Sequence, residues 1–356
     1  MTETEDPGHA RLPFRVFRQG AGGAIVSVLL TGVAGFIGSH VAEALLANGH
    51  QVIGLDDLSG GAEENIPKGV RFYHGSILDA GLLATLFSRH RVRFVYHLAG
   101  YAAEGLSHYI RVFNYSNNLV GSMMVLNQAI HAGVECFVFT SSIAVYGLTG
   151  APWREETTPR PEDPYGIAKY AVELDLQSAR RTHGLNYIIF RPHNVYGERQ
   201  NLGDRYRNVI GIFMNQLLQD QPMTIFGDGS QTRAFSYIGD VAPLLASALS
   251  VPAAYNQIFN VGDDDPVTVN ELATLVAGAL GKPRQVVHLP SLPEALHATA
   301  DHSKLASGFH YRPGWNLPAG IGRMAAWARS HGPCQPTRVP NIELRKNLPE
   351  VWSQAP

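Results

Sequence analysis

The chain has 356 residues, of which 45% are hydrophobic and 16% charged, as in compact enzymes and unlike disordered chains. Its formal net charge of −2 gives no electrostatic basis for binding nucleic acid or an anionic membrane surface. The length allows one large domain or two intimate ones, and two cysteines are too few for a disulfide framework, so we expect a reducing, cytoplasmic location.

Residues 1–24 carry charges, glycine and proline without an apolar stretch, which predicts a flexible extension and not a signal peptide. No later segment of the sequence is long and apolar enough to span a bilayer, so we expect no membrane partner.

Short apolar strands alternate with helical stretches from residue 25 to residue 190. This alternation predicts an α/β fold with a doubly wound parallel sheet of the Rossmann type, flanked by helices on both faces. The predicted strands are 25–31, 50–55, 70–74, 93–98, 134–140 and 185–190. The predicted helices are 37–48, 79–89, 116–132 and 165–183.

The pattern loosens from residue 191, where Pro, Gly and Asn cluster around a predicted helix at 205–219. A second helix is predicted at 269–280, capped by Thr268 or Asn270. Doubly wound sheets bind ligands outside the carboxyl ends of their strands, so this region is expected to cover that edge. The predicted division is an NAD-binding domain (25–190 with about 236–262), a smaller α/β substrate-binding region (about 191–235 with 263–331) and an irregular tail (332–356).

Three glycines at 32, 35 and 38 occupy the turn between the first predicted strand and the first helix. Such a turn lets backbone N–H groups approach a pyrophosphate without side chains in the way. Asp56, 18 residues after Gly38, and Asp57 end the next strand. A carboxylate at that place binds the ribose hydroxyls of NAD and repels the extra phosphate of NADP. The order of strand, turn, helix and acid therefore predicts NAD as the cofactor.

A serine, a tyrosine and a lysine form the predicted catalytic group. Ser142 follows the predicted strand 134–140, and Tyr165 and Lys169, four residues apart, project from one face of a helix. We expect the Lys169 ammonium and a cationic nicotinamide to lower the pKa of the Tyr165 phenol from about 10 toward neutrality. Tyr165 is then a general base for a sugar hydroxyl, with Ser142 bonded to the same hydroxyl and Lys169 to the nicotinamide ribose.

The motifs together resemble the extended short-chain dehydrogenase/reductase superfamily, and within it the UDP-glucose 4-epimerase-like nucleotide-sugar epimerases. The resemblance covers residues 25–330. It rests on 31–38 (TGVAGFIG), 97–100 (HLAG), 117–118 (NN), Ser142, the Tyr165/Lys169 pair, 191–197 (RPHNVYG), 226–233 (FGDGSQTR), 260–262 (NVG) and 300–304 (ADHSK).

The resemblance implies both cofactor and substrate residues. Those for NAD are Gly32, Gly35, Phe36, Ile37, Gly38, Asp56, Asp57, Ile77, Leu98, Ala99, Tyr101, Asn118, Thr140, Tyr165, Lys169 and His193. Those for a nucleotide-sugar substrate are Ser142, Asn194, Asn208, Arg233 and Ala298, with the two asparagines on the diphosphate and Arg233 as its main cation. His193 stands where the family often has Phe and is interpreted as a packing variant. A homodimer through helices 116–132 and 165–183 is also implied.

The two residues after Ser142 distinguish between the reactions of the superfamily. Similar dehydratases and decarboxylases carry acidic residues there, whereas Ile143 and Ala144 cannot transfer a proton. The expected reaction is C4 epimerisation: Tyr165 removes the 4′-hydroxyl proton, NAD⁺ takes the C4 hydride, the keto sugar rotates, and hydride returns to the opposite face. An NAD(H)-dependent keto-sugar-nucleotide reductase or dehydrogenase is the alternative, and a non-catalytic NAD-binding regulator is a further one.

Two departures from the family pattern concern the substrate. A second diphosphate-binding Arg is expected near 291–294, but the sequence has none there. His288, His297 or a different set of phosphate ligands is then expected to take its role. Ala298 stands where the family uses a large residue to exclude N-acetyl groups, which indicates room for a UDP-GlcNAc/UDP-GalNAc type of substrate beside UDP-glucose/UDP-galactose. The histidines and cysteines show no metal-ligand spacing, so no metal is expected.

Overall fold

The protein is described by a computed structural model covering residues 26–353 apart from 149, 292–294 and 336–340. The predicted extension at 1–24, most of the 291–294 segment and part of the tail lie outside these residues. None of the helices in the described ranges has the length and apolar character that a membrane crossing requires.

Parallel strands form the centre of the fold, and short strands form three smaller sheets. The strands are β1 (Ser27–Thr31), β2 (Gln51–Asp56), β3 (Arg71–His74), β4 (Phe94–His97), β5 (Cys136–Thr140), β6 (Asn186–Pro192), β7 (Val195–Tyr196), β8 (Met223–Phe226), β9 (Thr232–Arg233), β10 (Ser236–Tyr237), β11 (Gln257–Val261), β12 (Val267–Thr268), β13 (Val286–Leu289) and β14 (His297–Ala298). Among the described residues the central sheet has seven strands in the order β11-β6-β5-β4-β1-β2-β3, all parallel.

This sheet confirms the predicted Rossmann-type architecture. Strands β4 and β5 are buried along their whole length, which explains their continuous apolar sequence, since helices cover both faces of a parallel sheet. The strand order reverses between β1 and β4, and a doubly wound sheet binds its ligand in the crevice at such a point.

The helices follow the predicted alternation. They are α1 (Phe36–Ala47), α2 (Ala80–His90), α3 (Arg111–Tyr115), α4 (Gly121–Ala132), α5 (Pro164–His183), α6 (Val209–Leu218), α7 (Ile238–Ser247), α8 (Val269–Leu280), α9 (Ser303–Phe309), α10 (Leu317–His331) and α11 (Glu350–Ser353). The first five residues of the predicted helix 116–132 form a π-helical turn, Ser116–Val120, and α4 follows it directly. The helix predicted at 205–219 begins only at Val209, because the Asn208 side chain caps it by accepting from Ile210 N–H. Thr268, and not Asn270, caps α8 in a capping box with Glu271.

One hydrophobic core extends across the predicted domain boundary at residue 191. It joins Val28 and Phe190 of the central sheet to Ile225, Leu272 and Met324 of the second half. A separate cluster fills the other face of the sheet, between its strands and α2, α4 and α5. Because the second half shares its core with the sheet, it holds a defined position over the carboxyl ends of the strands.

Candidate functional site

A cleft of about 1810 Å³ lies at the carboxyl edge of the central sheet. One wall consists of residues that follow six neighbouring strands, β3, β2, β1, β4, β5 and β6. The second half of the chain forms the other side. Strands that end together place distant parts of the sequence at one ligand site.

The glycine turn between β1 and α1 forms one wall of the cleft. A Cβ on Gly38 would lie 1.9 Å from the carbonyl oxygen of Gly32, and a Cβ on Gly32, whose φ is +78°, would lie 2.7 Å from Ala99 N. Gly35 is the N-cap of α1 and provides no side chain to cap the first-turn N–H groups. The turn is therefore an anion cradle of the kind that holds a dinucleotide pyrophosphate.

The two aspartates after β2 line the cleft beside this turn. The Asp56 carboxylate accepts from Ala34 N–H at 2.9 Å and from Leu58 N–H at 2.8 Å, so it also braces the glycine turn. Burial raises the pKa of Asp56, while the hydrogen bonds from Leu58 and Ala34 act against that rise. Asp57 accepts from both the N–H and the hydroxyl of Ser59. Two carboxylates are acceptors of the kind that the hydroxyls of an NAD ribose require.

The predicted catalytic residues come together in the same cleft. Ser142 caps the short 3₁₀ turn Ile143–Tyr146 by accepting from Ala144 N–H at 3.1 Å, and its side chain is hydrogen-bonded to Tyr165. Tyr165 and Lys169 lie on the first turns of α5, which Asp163 caps by accepting from Gly166 N–H. Lys169 Nζ donates to the carbonyl of Thr140 at 2.9 Å and lies 5.8 Å from the centre of the Tyr165 ring.

The expectation of a lowered Tyr165 pKa includes the charge of a bound nicotinamide and stays a prediction, and the protein chain by itself has the opposite effect. Burial raises the pKa of this phenol above its ordinary value, and the hydrogen bond with Ser142 only partly opposes the rise. Burial also lowers the pKa of Lys169 to about 8, and its ammonium is directed at the Thr140 carbonyl. Desolvation of the phenol, together with the nearby carboxylates of Glu104 and Asp163, thus outweighs the opposing effects of Ser142 and Arg207.

A buried polar network that the sequence analysis missed lies beneath the loop that carries Ser142 and supports it. The Glu173 carboxylate accepts from Ser141 Oγ at 2.5 Å and from Arg191 Nε and Nη2 at 2.9 and 2.5 Å. Arg191 also donates to the Tyr146 hydroxyl at 2.7 Å, which donates to Asn260 at 2.8 Å. The signal in the sequence was the spacing of Glu173, which lies four residues after Lys169 on the same helix face.

The other residues expected to bind the cofactor divide into two groups. The larger group lines the cleft and consists of Phe36, Ile37, Ile77, Leu98, Ala99, Tyr101, Thr140 and His193. Asn118 is different, because it is fully buried and lies behind the wall. Its amide oxygen accepts from Tyr101 N–H at 2.8 Å and its amide nitrogen donates to Tyr101 O at 3.1 Å. Asn118 therefore fixes the backbone of the wall, and its neighbour Asn117 reaches the cleft.

The residues expected to bind the substrate also line the cleft. Asn194, at a φ of +43°, donates to Ala234 O at 3.0 Å, and Asn208 donates to Val195 O at 2.8 Å while capping α6. Arg233 donates to Thr232 O at 2.8 Å from strand β9. Ala298 is paired with Arg233 across β14 and β9 and is 7% exposed.

The two histidines considered as a second phosphate ligand do not line the cleft. The His288 ring nitrogen bonds Gly227 O at 2.7 Å and the His297 ring nitrogen bonds Thr232 Oγ1 at 2.8 Å. The cleft instead contains Arg205 and Arg207 from the loop before α6, which the sequence analysis missed. The Arg207 guanidinium lies 4.7 Å from the centre of the Tyr101 ring, and its charge acts on Tyr165.

Residues 341–353, here called the C-terminal arm, form a further part of the cleft wall that the sequence analysis missed. The Glu343 carboxylate accepts from Val112 and Phe113 N–H, both at 2.8 Å, which ties the arm to α3. The Trp352 ring lies 5.3 Å from the Tyr206 ring, centre to centre. Arm residues lining the cleft are Leu344, Lys346, Asn347, Pro349 and Trp352. In the described part of the chain, no group of His, Cys, Asp or Glu is arranged to hold a metal ion.

Comparison with known proteins gives consistent results. The model of the NAD dependent epimerase/dehydratase family matches residues 28–262. A UDP-glucose 4-epimerase of Mycolicibacterium smegmatis is 35% identical over 310 residues, which are 85% of this chain and 98% of the relative. The crystal structure of Thermotoga maritima UDP-glucose 4-epimerase with UDP-glucose aligns with a TM-score of 0.82 and 34% identity over 86% of this chain and 99% of that one. A UDP-N-acetylglucosamine 4-epimerase of Methanobrevibacter ruminantium aligns with a TM-score of 0.80 and 28% identity, covering 86% and 99%.

Proposed function

The chain belongs to the NAD dependent epimerase/dehydratase family, and within it we propose that the protein is an NAD-dependent 4-epimerase of a UDP-sugar. One observation carries this choice of reaction. The cleft joins Ser142, Tyr165 and Lys169 to the glycine turn, while the positions after Ser142 are Ile143 and Ala144, which also line the cleft. A site with Ile143 and Ala144 at these two positions keeps the groups for a reversible oxidation at C4 and has no acid or base there to promote elimination.

NAD, when bound at the glycine turn and the two aspartates, would supply the reversible oxidation at C4 of the sugar. Tyr165 removes the 4′-hydroxyl proton and gives it back to the product. Ser142, already hydrogen-bonded to Tyr165, orients the same hydroxyl. Lys169, whose Nζ donates to the Thr140 carbonyl and lies 5.8 Å from the centre of the Tyr165 ring, is assigned to hold the nicotinamide ribose and to favour the phenolate by its positive charge.

For the substrate diphosphate we propose Arg233 together with the loop arginines Arg205 and Arg207. Guanidinium groups bind phosphate oxygens in pairs and remain charged at every working pH, so they replace the missing second arginine. Asn194 and Asn208 line the same region, although both amides already bind backbone carbonyls. The small side chain of Ala298 beside Arg233 favours a sugar that carries an N-acetyl group.

A homodimer remains a proposal, as does the cytoplasmic location. Exposed apolar side chains support the dimer: Val112 (72%), Val120 (49%), Ile167 (40%) and Leu174 (48%) lie on or beside the two helices predicted to form its interface. Burying such side chains between two subunits is favourable, so light scattering should give twice the mass of the chain. A single-chain mass at micromolar concentration would contradict the dimer.

The test of the function is an NMR assay with UDP-glucose, UDP-GlcNAc and UDP-glucuronate in turn, without added coenzyme. We expect the C4 epimer of at least one of them, and a loss of about 10²–10⁴ in rate for Tyr165→Phe, as is typical for removal of a general base. Ala298→Tyr should suppress turnover of UDP-GlcNAc and spare UDP-glucose. Absence of any epimer even with NAD⁺ supplied would refute the proposal, and net consumption of NADH with a keto sugar would favour a reductase.

A further inference from the structure

A chain of two histidines and an aspartate leads from the cleft to the protein surface. His193 Nε2 and His302 Nε2 are 3.1 Å apart, and His302 Nδ1 is 2.6 Å from the Asp264 carboxylate. The ring planes of the two histidines differ by 8°. His193 and His302 are 2% and 5% exposed, whereas the Asp264 side chain is 77% exposed. The chain is therefore a buried relay with one end in solvent.

The aspartate determines which ring nitrogens carry protons. A carboxylate only accepts hydrogen bonds, so His302 carries a proton on Nδ1, and its Nε2 is then an acceptor when the ring is neutral. His193 must consequently carry its proton on Nε2 and donate it to His302. The remaining nitrogen, His193 Nδ1, is left as a bare acceptor. Burial and the neighbouring His302 lower the pKa of His193 to about 3, which keeps it in this singly protonated form at neutral pH.

His193 Nδ1 is buried and has no hydrogen-bond partner among the described residues. Buried polar atoms without a partner are uncommon in folded proteins, so the missing hydrogen-bond donor to this nitrogen needs an explanation. Gly262 leaves the space that the imidazole of His193 occupies, because a Cβ on Gly262 would lie 1.8 Å from His193 Nε2. A Phe at position 193 would fill the same space, but it would offer no acceptor.

The position of His193 indicates what the partner is. It follows β6, next to β5, whose end carries Thr140 and Ser142, while Asp56 follows β2, and three strands lie between β6 and β2. A dinucleotide with one ribose at Asp56 and its pyrophosphate at the glycine turn places its nicotinamide at the β5–β6 end of the cleft. The nicotinamide carboxamide presents an amino group there, which is a donor of the complementary kind.

We propose that His193 Nδ1 accepts a hydrogen bond from the carboxamide amino group of NAD, with His302 and Asp264 as positioning residues that hold the required tautomer. The inference rests on NAD as the cofactor of the proposed function, and it holds whichever sugar is the substrate. It replaces the interpretation of His193 as a packing variant.

The test uses 3-acetylpyridine adenine dinucleotide, in which a methyl group stands in place of the carboxamide amino group. Purified protein is exchanged against an equal mixture of this analogue and NAD⁺, and the bound nucleotides are quantified by chromatography. We expect wild type to prefer NAD⁺ by about tenfold, as one neutral hydrogen bond allows, and His193→Phe to lose most of this preference. His50→Phe is the matched control, because His50 also has an unpartnered Nδ1 but precedes β2 at the opposite edge of the sheet.

The positioning role is tested by the tautomer itself. In protein labelled with ¹⁵N-histidine, the resonances that disappear in His193→Phe should show the proton on Nε2 and a bare Nδ1. His302→Phe should shift that proton toward Nδ1 and reduce the preference for NAD⁺, while His302→Gln, whose amide oxygen accepts the same hydrogen bond, should restore both.

Two outcomes would overturn the inference: a proton on His193 Nδ1 in the wild type, or an unchanged preference for NAD⁺ in His193→Phe. Both readouts are independent of turnover. Epimerase activity without the preference would refute this inference alone, whereas the preference without epimerase activity would refute only the proposed reaction.

Discussion

The buried ion pair between Glu173 and Arg191 supports the catalytic loop, so we expect its loss to affect both stability and activity. Glu173 is 0% exposed and Arg191 1% exposed, and the carboxylate accepts two hydrogen bonds from the guanidinium and one from Ser141. Glu173→Gln keeps the size of the side chain but removes its charge. The guanidinium then remains buried without an anion, which costs ~3–5 kcal/mol in comparable pairs.

That cost is a large fraction of a typical free energy of unfolding of about 5–15 kcal/mol. The assay is urea unfolding of the NAD-saturated protein, followed by circular dichroism. Glu135→Gln provides the matched control, because Glu135 pairs with Arg93 and both side chains are nearly half exposed. For such an exposed pair we expect a loss of at most about 1 kcal/mol.

The charge argument also predicts the outcome of a double variant. Glu173→Leu with Arg191→Met removes both charges and fills the space, so it should be more stable than Glu173→Gln. All variants that release Ser141 should lower kcat, because Ser141 precedes Ser142 in the loop. Equal losses for Glu173→Gln and Glu135→Gln would refute the reasoning, and so would a double variant less stable than the single one.

Three further predictions concern the cofactor cradle, the buried lysine and the C-terminal arm. Gly38→Ala should abolish copurification of NAD, because its Cβ would lie 1.9 Å from a backbone oxygen. Gly278→Ala is the control, since open space surrounds Gly278, and it should retain NAD. Equal amounts of bound NAD in the two variants would contradict the cradle. The pKa of Lys169 is lowered to about 8 from 10.5, so the unfolded chain binds more protons between these values and wild-type stability rises with pH there. In urea unfolding, the stability of Lys169→Met relative to wild type should therefore fall over the same pH range. A difference that stays constant with pH would contradict the shift. Trp352→Ala should raise KM for the nucleotide sugar severalfold with little change in kcat, since Trp352 lines the cleft and packs against Tyr206, outside the Ser142, Tyr165 and Lys169 group. An unchanged KM would exclude this role.

Features that depend on contiguous residues could be predicted from the sequence. The glycine turn needs only a strand, three glycines and a helix in succession, and its geometry follows from the missing Cβ atoms. The spacing of Tyr165 and Lys169 specifies one face of a helix in the same local way. The alternation of apolar strands with helices was sufficient for the parallel sheet, because its strands are buried on both faces.

The environment of each side chain, in contrast, could not be predicted from the spacing of residues in the sequence. The expectation of a lowered Tyr165 pKa considered two charges, the Lys169 ammonium and the nicotinamide, and omitted desolvation, which depends on everything packed around the phenol. Asn118 was predicted to bind the cofactor, but its position behind Tyr101 depends on how the chain folds after β4.

The sequence by itself determined the family, the doubly wound sheet and the Ser142, Tyr165 and Lys169 group, because local periodicity and short motifs encode them. The tertiary structure alone decided which distant residues join that group. His302 reaches His193 across 109 positions of the chain, and Glu343 reaches Val112 across 231. No short-range pattern in the chain specifies such pairs, because each depends on where the packing of the whole core places two separate segments.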